Sequence, residues 1–422
     1  MTDLFLRLGS GNPSRSPANS QPAKAGGCNC LCSAAGSASQ NWSKNYVLGM
    51  RYFNVLTALV LVTFFADSPP GFAQNPDIEP RLIADNLVHP WALEFLPGGD
   101  YLVSERGGDL LRVSPDGSRD KIYGLPENIY THGQGGLLDL ALEPGFKPGG
   151  WLYFSYAGTG ENGRANTEVA RAKLDLRENI LKDLEVIFRA RPKVRGNNHF
   201  GSRLLFAGGY LYITLGERFG YREEAQDISN HLGTVVRIYP DGKIPGDNPF
   251  AHTKGAAQEI FTYGNRNIQG IARHPQSDEI WVAEHGPKGG DEINILEAGA
   301  NYGWPEVSYG DRYSGINISD GHSMEDVTNP LLHWTPSIAP SGMAFYTGDK
   351  YPGWENDLFV GALVKRHLRR VDLQGTNVAG QEKLLENLRR RIRDVAQGPD
   401  GYLYILTDHP DGGLYKLMPV TK

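Results

Sequence analysis

The chain has 422 residues, with 42 Lys+Arg against 48 Asp+Glu, a formal net charge of −6 and 21% charged residues. An acidic chain without basic runs excludes the electrostatics of nucleic-acid binding, so no nucleic-acid partner is expected. Its three cysteines, Cys28, Cys30 and Cys32, all precede residue 74, so the remainder can use neither disulfides nor a thiol nucleophile.

Residues 1–49 are rich in Ser, Gly, Asn and Ala, show no helical or alternating pattern, and read as a disordered or untranslated leader. The three thiols there lack the histidine or fourth cysteine that a tetrahedral metal site requires. Met50 opens MRYFNVLTALVLVTFFADSPPGFAQ, with one basic residue, an apolar run from Val55 to Ala66 and a small-residue exit at Ala73. That is the layout of a secretory signal peptide over residues 50–73. The run is shorter than the ~20 residues of a membrane span, which makes an uncleaved anchor the weaker alternative. A mature chain beginning near Gln74 and a periplasmic location are expected.

From Trp91 onward one phrase recurs: a short apolar strand, a Gly/Pro/Asp turn, then a strand rich in Tyr, Leu, Val and Ile. It stands as WALEFLPGGDYLVSER from Trp91, GLLDLALEPGFKPGGWLYFSY from Gly136 and SRLLFAGGYLYITLGE from Ser202. It returns as QGIARHPQSDEIWVAEHG from Gln269, SGMAFYTGDKYPGWENDLFVGAL from Ser341 and IRDVAQGPDGYLYILTD from Ile392. Each copy has the alternation and turn chemistry of a β-hairpin. The copies recur every roughly 45–75 residues, the length of one four-stranded blade with its loops. The sequence therefore predicts an all-β fold over residues 74–422: a six-bladed β-propeller of four-stranded antiparallel blades. No long amphipathic helix is expected; residues 381–391 read as a charged loop.

Propellers place ligands where loops converge over the central channel, so the polar strand exits are the candidates for chemistry. In chain order they are THGQGG (131–136), RGNNHFGSRL (195–204), LGERFGYREEAQD (215–227), YGNRNIQG (263–270), AEHGPKGGDE (283–292) and RRRIRD (389–394). They offer one candidate general base, His199, but no GxSxG, HExxH or Walker-type motif. A lone histidine is more often structural than catalytic. Arg266 and Asn267 have a plain alternative as a hydrogen-bonded turn, and Arg391 and Arg393 as a solvated strand end. Alternation nevertheless puts Arg391 and Arg393 on one face, where together they can clamp an anion.

Seven motifs in order, HGQGGLLDLAL, NNHFGSRL, GNRNIQG, EHGPKGGDEINI, NYGWP, APSGMAFY and RIRDV, resemble the soluble quinoprotein glucose dehydrogenase family. They are nearest to its bacterial aldose sugar dehydrogenase branch, and the resemblance runs from about Leu82 to Leu417. It implies the cofactor pyrroloquinoline quinone (PQQ) lying over the channel mouth. It makes His199 the base that takes the proton of an aldose's anomeric hydroxyl as hydride passes to the quinone. Glu217 stands where the glucose enzymes carry an aspartate that orients the base. Gln134, Arg266, Asn267, Arg391 and Arg393 match residues around the quinone. Lys365 is the matching lysine, although GALVKRHLRR is one residue out of register and Arg366 competes. His285 replaces a family glutamine.

The same resemblance gives Gly286 and Pro287 backbone carbonyls for a Ca²⁺ that touches PQQ, a donor type that suits calcium. Glu292 and the Tyr302 carbonyl match a second, structural Ca²⁺ site, whereas Asp291 reads as a turn carboxylate. The implied partners are an aldose sugar and a quinone or other electron acceptor, in a monomer or a dimer. Two rival readings are a Ca²⁺-dependent lactone hydrolase on a six-bladed propeller and a non-catalytic recognition propeller.

Overall fold

Each of the six repeated phrases forms the inner hairpin of a four-stranded antiparallel sheet. The computed structural model describes residues 77–311 and 324–420. The expected leader over 1–49, the signal peptide over 50–73 and the three cysteines lie outside the described residues.

Strand β1 (Ile78–Leu87) opens the described chain. Blade one follows as β2 (Pro90–Phe95), β3 (Tyr101–Glu105), β4 (Asp109–Val113) and β5 (Arg119–Ile122). Blade two is β6 (Leu137–Leu142), β7 (Trp151–Thr159), β8 (Ala165–Asp175) and β9 (Ile180–Arg189). Blade three is β10 (Leu204–Ala207), β11 (Tyr210–Thr214), β12 (Val235–Ile238) and β13 (Ile260–Thr262). Blade four is β14 (Ile268–Arg273), β15 (Ile280–Glu284), β16 (Asp291–Ile295) and β17 (Leu332–Trp334). Blade five is β18 (Pro340–Phe345), β19 (Leu358–Ala362), β20 (His367–Gln374) and β21 (Asn377–Leu384).

Blade six takes β22 (Ile392–Gln397), β23 (Leu403–Thr407) and β24 (Gly412–Pro419), and is completed by β1, which pairs antiparallel with β24. The two ends of the propeller chain thus close one blade, which hides what would be an open sheet edge. The first strands touch in order around a closed ring, β2 to β6, β10, β14, β18, β22 and back to β2. Residues 381–391 split between the end of β21 and a 3-10 turn at Glu386–Leu388.

Side chains that alternate along a strand face opposite neighbours, and here both faces are covered by other blades. On β3, Leu102 packs toward blade two, whereas Tyr101 and Val103 pack toward blade six. The same division recurs at every blade boundary, giving six apolar clusters between adjacent sheets. Hydroxyls add a repeated stitch from one blade to the next: Ser104 Oγ donates to Leu138 O at 2.6 Å, Ser155 Oγ to Ser202 O at 2.6 Å and Ser341 Oγ to Ile392 O at 2.7 Å. At the centre Arg203 pairs with Asp139 (2.9 Å) and Asp394 (3.0 Å), donates to Gln269 O and lies 4.2 Å from the Trp91 ring centre. One buried cation thereby ties five blades together beneath the channel mouth.

Candidate functional site

The entry ends of all six inner strands meet around one cavity of about 720 Å³, through Trp91, Leu138, Gly201, Gln269, Ala339 and Arg393. Among the described residues its lining carries five cations, Arg106, Lys288, Lys365, Arg391 and Arg393, against one carboxylate, Asp311. In a chain of net charge −6 this is a local inversion of sign. Of the expected site residues, Gln134, Gly286, Pro287, Lys365, Arg391 and Arg393 line this cavity. Lys365 lines it and Arg366 does not.

His199 sits immediately before the lining residues Phe200 and Gly201, in a left-handed conformation with φ 53°. Its backbone N–H donates to Gln134 Oε1 at 2.8 Å, and its Nδ1 lies 2.9 Å from Glu217 Oε1. Gly216 permits the approach, because a Cβ there would run into the His199 carbonyl and the Asn267 amide. Burial, and then the charges of Arg266 and Arg218, hold the His199 pKa well below the usual imidazole value of 6.5. Burial pushes the Glu217 carboxyl up to about 7, partly opposed by Arg266. With Glu217 ionised, the Nδ1–H of His199 donates to it and the Nε2 lone pair is left as the base.

Arg393 donates to Gln269 Oε1 at 3.2 Å and to Asp408 Oδ2 at 3.4 Å, and Arg391 Nε reaches the same Asp408 oxygen at 3.2 Å. The two arginines therefore share a face, as alternation predicts, and also a counter-ion. Burial nonetheless lowers the Arg393 pKa to about 10 despite Asp408, so this wall is short of negative charge. A polyanionic ligand with carboxylates fits that deficit. Buried donors without a partner point the same way: Arg266 Nε and Asn267 Nδ2 have none among the described residues. Asn267 otherwise accepts from Gly201 N at 3.1 Å, which couples it to the cavity lining.

The stretch AEHGPKGGDEIN is held by Asp291, whose carboxylate accepts from Gly286 N, Ser337 Oγ, Ile338 N and Ala339 N at 2.7–2.9 Å. Its reading as a turn carboxylate agrees with that geometry. His285 is half-buried at the cavity wall, its Nε2 lies 2.6 Å from Pro340 O, and desolvation lowers its pKa to about 3. Arg266 Nη1 donates to His285 O at 3.1 Å and Gly286 O at 2.7 Å, so one lone pair of the Gly286 carbonyl is already engaged.

Behind Gly286 a second, ion-sized space of about 10 Å³ is lined by Glu284, Glu292 and Tyr302. Burial raises both carboxyl pKa values, and Glu284 raises that of Glu292 further. The Asn265 and Asn294 side-chain oxygens nearby are buried without donors among the described residues. One buried and one half-buried acid amid spare oxygens fit a hard cation with oxygen ligands. No group of three His, Cys, Asp or Glu side chains converges as a metal site among the described residues, so backbone carbonyls would have to complete the set.

Asp408 lies outside the seven motifs and Glu284 opens one of them without a role of its own, yet a signal for both exists in the repeats. Four of the six hairpins carry an acid at or just past the end of the second strand: Glu105, Glu217, Glu284 and Asp408. Each one secures the loop that leads into the first strand of its own blade. Glu105 accepts from Val88 N, Glu217 holds His199, Glu284 accepts from Arg266 N and Asp408 holds Arg391. Aligning the copies with one another, and not with other proteins, picks out all four.

The profile of the Glucose / Sorbosone dehydrogenase family matches residues 87–416. The chain is 42% identical over 364 residues to the aldose sugar dehydrogenase of Escherichia coli K12, covering 85% of this chain and 98% of that protein. The apo-form crystal structure of the soluble aldose sugar dehydrogenase from Escherichia coli has a TM-score of 0.79 at 42% identity, over 81% of this chain and 100% of that one. The PQQ-bound aldose sugar dehydrogenase from Streptomyces coelicolor has a TM-score of 0.68 at 28% identity, over 82% and 98%. With the propeller, the channel-mouth cavity and these likenesses taken together, the chain belongs to the glucose/sorbosone dehydrogenase family.

Proposed function

We propose that the chain is a PQQ-dependent, Ca²⁺-assisted dehydrogenase that oxidises aldose sugars at the anomeric carbon to aldonolactones and passes the electrons to a quinone or other acceptor. The observation that carries this reading is a cavity lined, among the described residues, by five cations and one carboxylate, with the buried imidazole of His199 immediately preceding the lining residues Phe200 and Gly201 and its pKa lowered by burial. Gln134, Arg266, Asn267, Lys365, Arg391 and Arg393 would hold the cofactor. The Gly286 and Pro287 carbonyls would hold one Ca²⁺, and Glu292 with the Tyr302 carbonyl a second. When bound, the quinone supplies the two-electron acceptor that no side chain can provide, and Ca²⁺ polarises it.

The chain's own contribution is proton handling. His199 Nε2 takes the proton of the anomeric hydroxyl, and negative charge on that oxygen makes the adjacent C–H a better hydride donor. Glu217 fixes the tautomer and balances the imidazolium that forms. General-base help of this kind is worth about 10²–10⁴ in rate. The leader read over residues 50–73 would carry the enzyme to the periplasm. Reconstitution with PQQ and CaCl₂ should yield dye-linked oxidation of monosaccharides, and inactivity across a panel of mono- and disaccharides would contradict the proposal. A cation-lined cavity gives a lactone hydrolase no evident advantage, and ring opening of lactones without PQQ would favour that rival.

A further inference from the structure

Two stretches of the cavity wall come from different blades and share one buried anchor. The first is Gly286 and Pro287, between β15 and β16 of blade four; the second is Leu363, Val364 and Lys365, between β19 and β20 of blade five. Asp291 opens β16, is 0% exposed and does not itself line the cavity. Its Oδ1 accepts from Gly286 N at 2.9 Å. Its Oδ2 accepts from Ser337 Oγ, Ile338 N and Ala339 N at 2.7–2.8 Å, in the connection from blade four to blade five. That connection passes the hold onward: Leu363 N donates to Ala339 O at 3.0 Å and Val364 N to Ile338 O at 3.1 Å. Ala339 is itself left-handed, φ 52°, a conformation that a residue with a Cβ keeps only where its surroundings fix it.

We infer that Asp291 is a positioning residue that fixes the Gly286–Pro287 carbonyls and the Lys365 ammonium relative to one another, so that the two stretches of wall are set together; this rests on the Ca²⁺ and cofactor roles proposed above for those residues. A carboxylate that merely closed its own turn would need donors from that turn alone. Asp291 takes one donor there and three from residues 46–48 positions away. The far end of the chain of bonds reaches a further cation, since Arg391 Nη1 donates to Leu363 O at 3.5 Å. Only an ionised carboxylate serves both ends. Asparagine has the same shape but one acceptor oxygen with two lone pairs. Turned toward residues 337–339, that oxygen meets three donors and leaves Gly286 N facing an NH₂ group; turned the other way, it leaves three donors facing the NH₂. Asp291→Asn therefore loosens both stretches while preserving volume.

The test has two readouts besides turnover. Hydrogen exchange of the apoprotein should show segments 286–290 and 362–366 exchanging about tenfold faster in Asp291→Asn than in wild type, with β7 and β8 of blade two unchanged. Unchanged exchange at 362–366, or equal acceleration in every blade, would overturn the inference. The second readout is titration with PQQ, followed by quinone absorbance, of wild type, Asp291→Asn, Lys365→Ala and the double variant. The Ca²⁺ concentration that half-saturates PQQ binding should rise about tenfold or more in Asp291→Asn, the usual effect of losing a group that orients metal ligands. Lys365→Ala should weaken PQQ binding about tenfold in wild type but about threefold or less beside Asp291→Asn, because a lysine already out of place has less to lose. Losses that simply multiply would assign Asp291 to general stability and overturn the inference. Where Asp291→Asn folds poorly, Ala339→Gly, which relaxes the left-handed position, is introduced into all four proteins. If PQQ does not bind wild type, the functional proposal itself fails, and the exchange rates alone decide the role of Asp291.

Discussion

Replacing Asp408 with Asn keeps the shape of the side chain and removes the charge that Arg391 and Arg393 share. In the apoprotein this leaves Arg393 buried without a counter-ion: both side chains are 7% exposed and stand 3.4 Å apart. At an effective dielectric of 20 the lost attraction is roughly 5 kcal/mol. Recovered desolvation and the hydrogen bonds that Asn retains offset part of it, so a net destabilisation of about 3 kcal/mol is expected. The Arg391 share is left out, because that side chain is 40% exposed and solvent screens it. Asp408 is held well below its ordinary 3.8, chiefly by Arg393 against the opposing effect of burial. Its contribution is therefore present above that pH and fades as pH falls below it, so the gap between wild type and Asp408→Asn should close in acid. PQQ brings carboxylates to the same two arginines, so loading it should narrow the gap as well. Denaturant melts with and without PQQ measure both effects. A variant apoprotein as stable as wild type, or a gap that PQQ leaves unchanged, would refute the counter-ion argument.

The remaining predictions concern the base and the loop that carries the glycines. His199→Gln should lower kcat by about 10²–10⁴ while PQQ still binds, as measured by quinone absorbance and steady-state rates on one preparation. In the wild type, protonation of Glu217 turns its carboxyl into a donor to Nδ1 and puts the imidazole proton on Nε2, so kcat/KM should fall as pH drops through about 7. Glu217→Gln removes that titration, and the acid limb should move below 6.5, into the depressed range of His199; an unmoved limb would count against the pairing. Asp291→Ala strands the backbone N–H groups of Gly286, Ile338 and Ala339 and should cost about 3–5 kcal/mol in a denaturant melt.

The fold was legible because every inner hairpin states its alternation and its turn in adjacent residues. Strand β1 was not: IEPRLIADNL is a largely exposed outer strand whose partner, Gly412–Pro419, lies at the far end of the chain. Local pattern carries no trace of so distant a pairing. In the candidate site, alternation made the shared face of Arg391 and Arg393 legible, and the quoted motifs marked the loops that meet at the cavity. Asp408 and Glu284 were missed because a single acid after a strand looks like any turn carboxylate until the copies are compared. Arg203 is an extreme case: within SRLLF it reads as the polar start of a strand, yet it occupies the axis with Asp139 and Asp394. Its role depends on five blades converging, which no local window contains.

The central claim is that the cation-lined opening beside His199 binds an anionic redox quinone. The most direct measurement is titration of the purified apoprotein with PQQ in the presence of Ca²⁺, followed by addition of glucose while the quinone absorbance is recorded. The account predicts saturation at one PQQ per chain, weaker binding in Arg393→Ala, and reduction of the bound quinone on adding sugar. PQQ that fails to bind, or that binds wild type and Arg393→Ala alike, would contradict it.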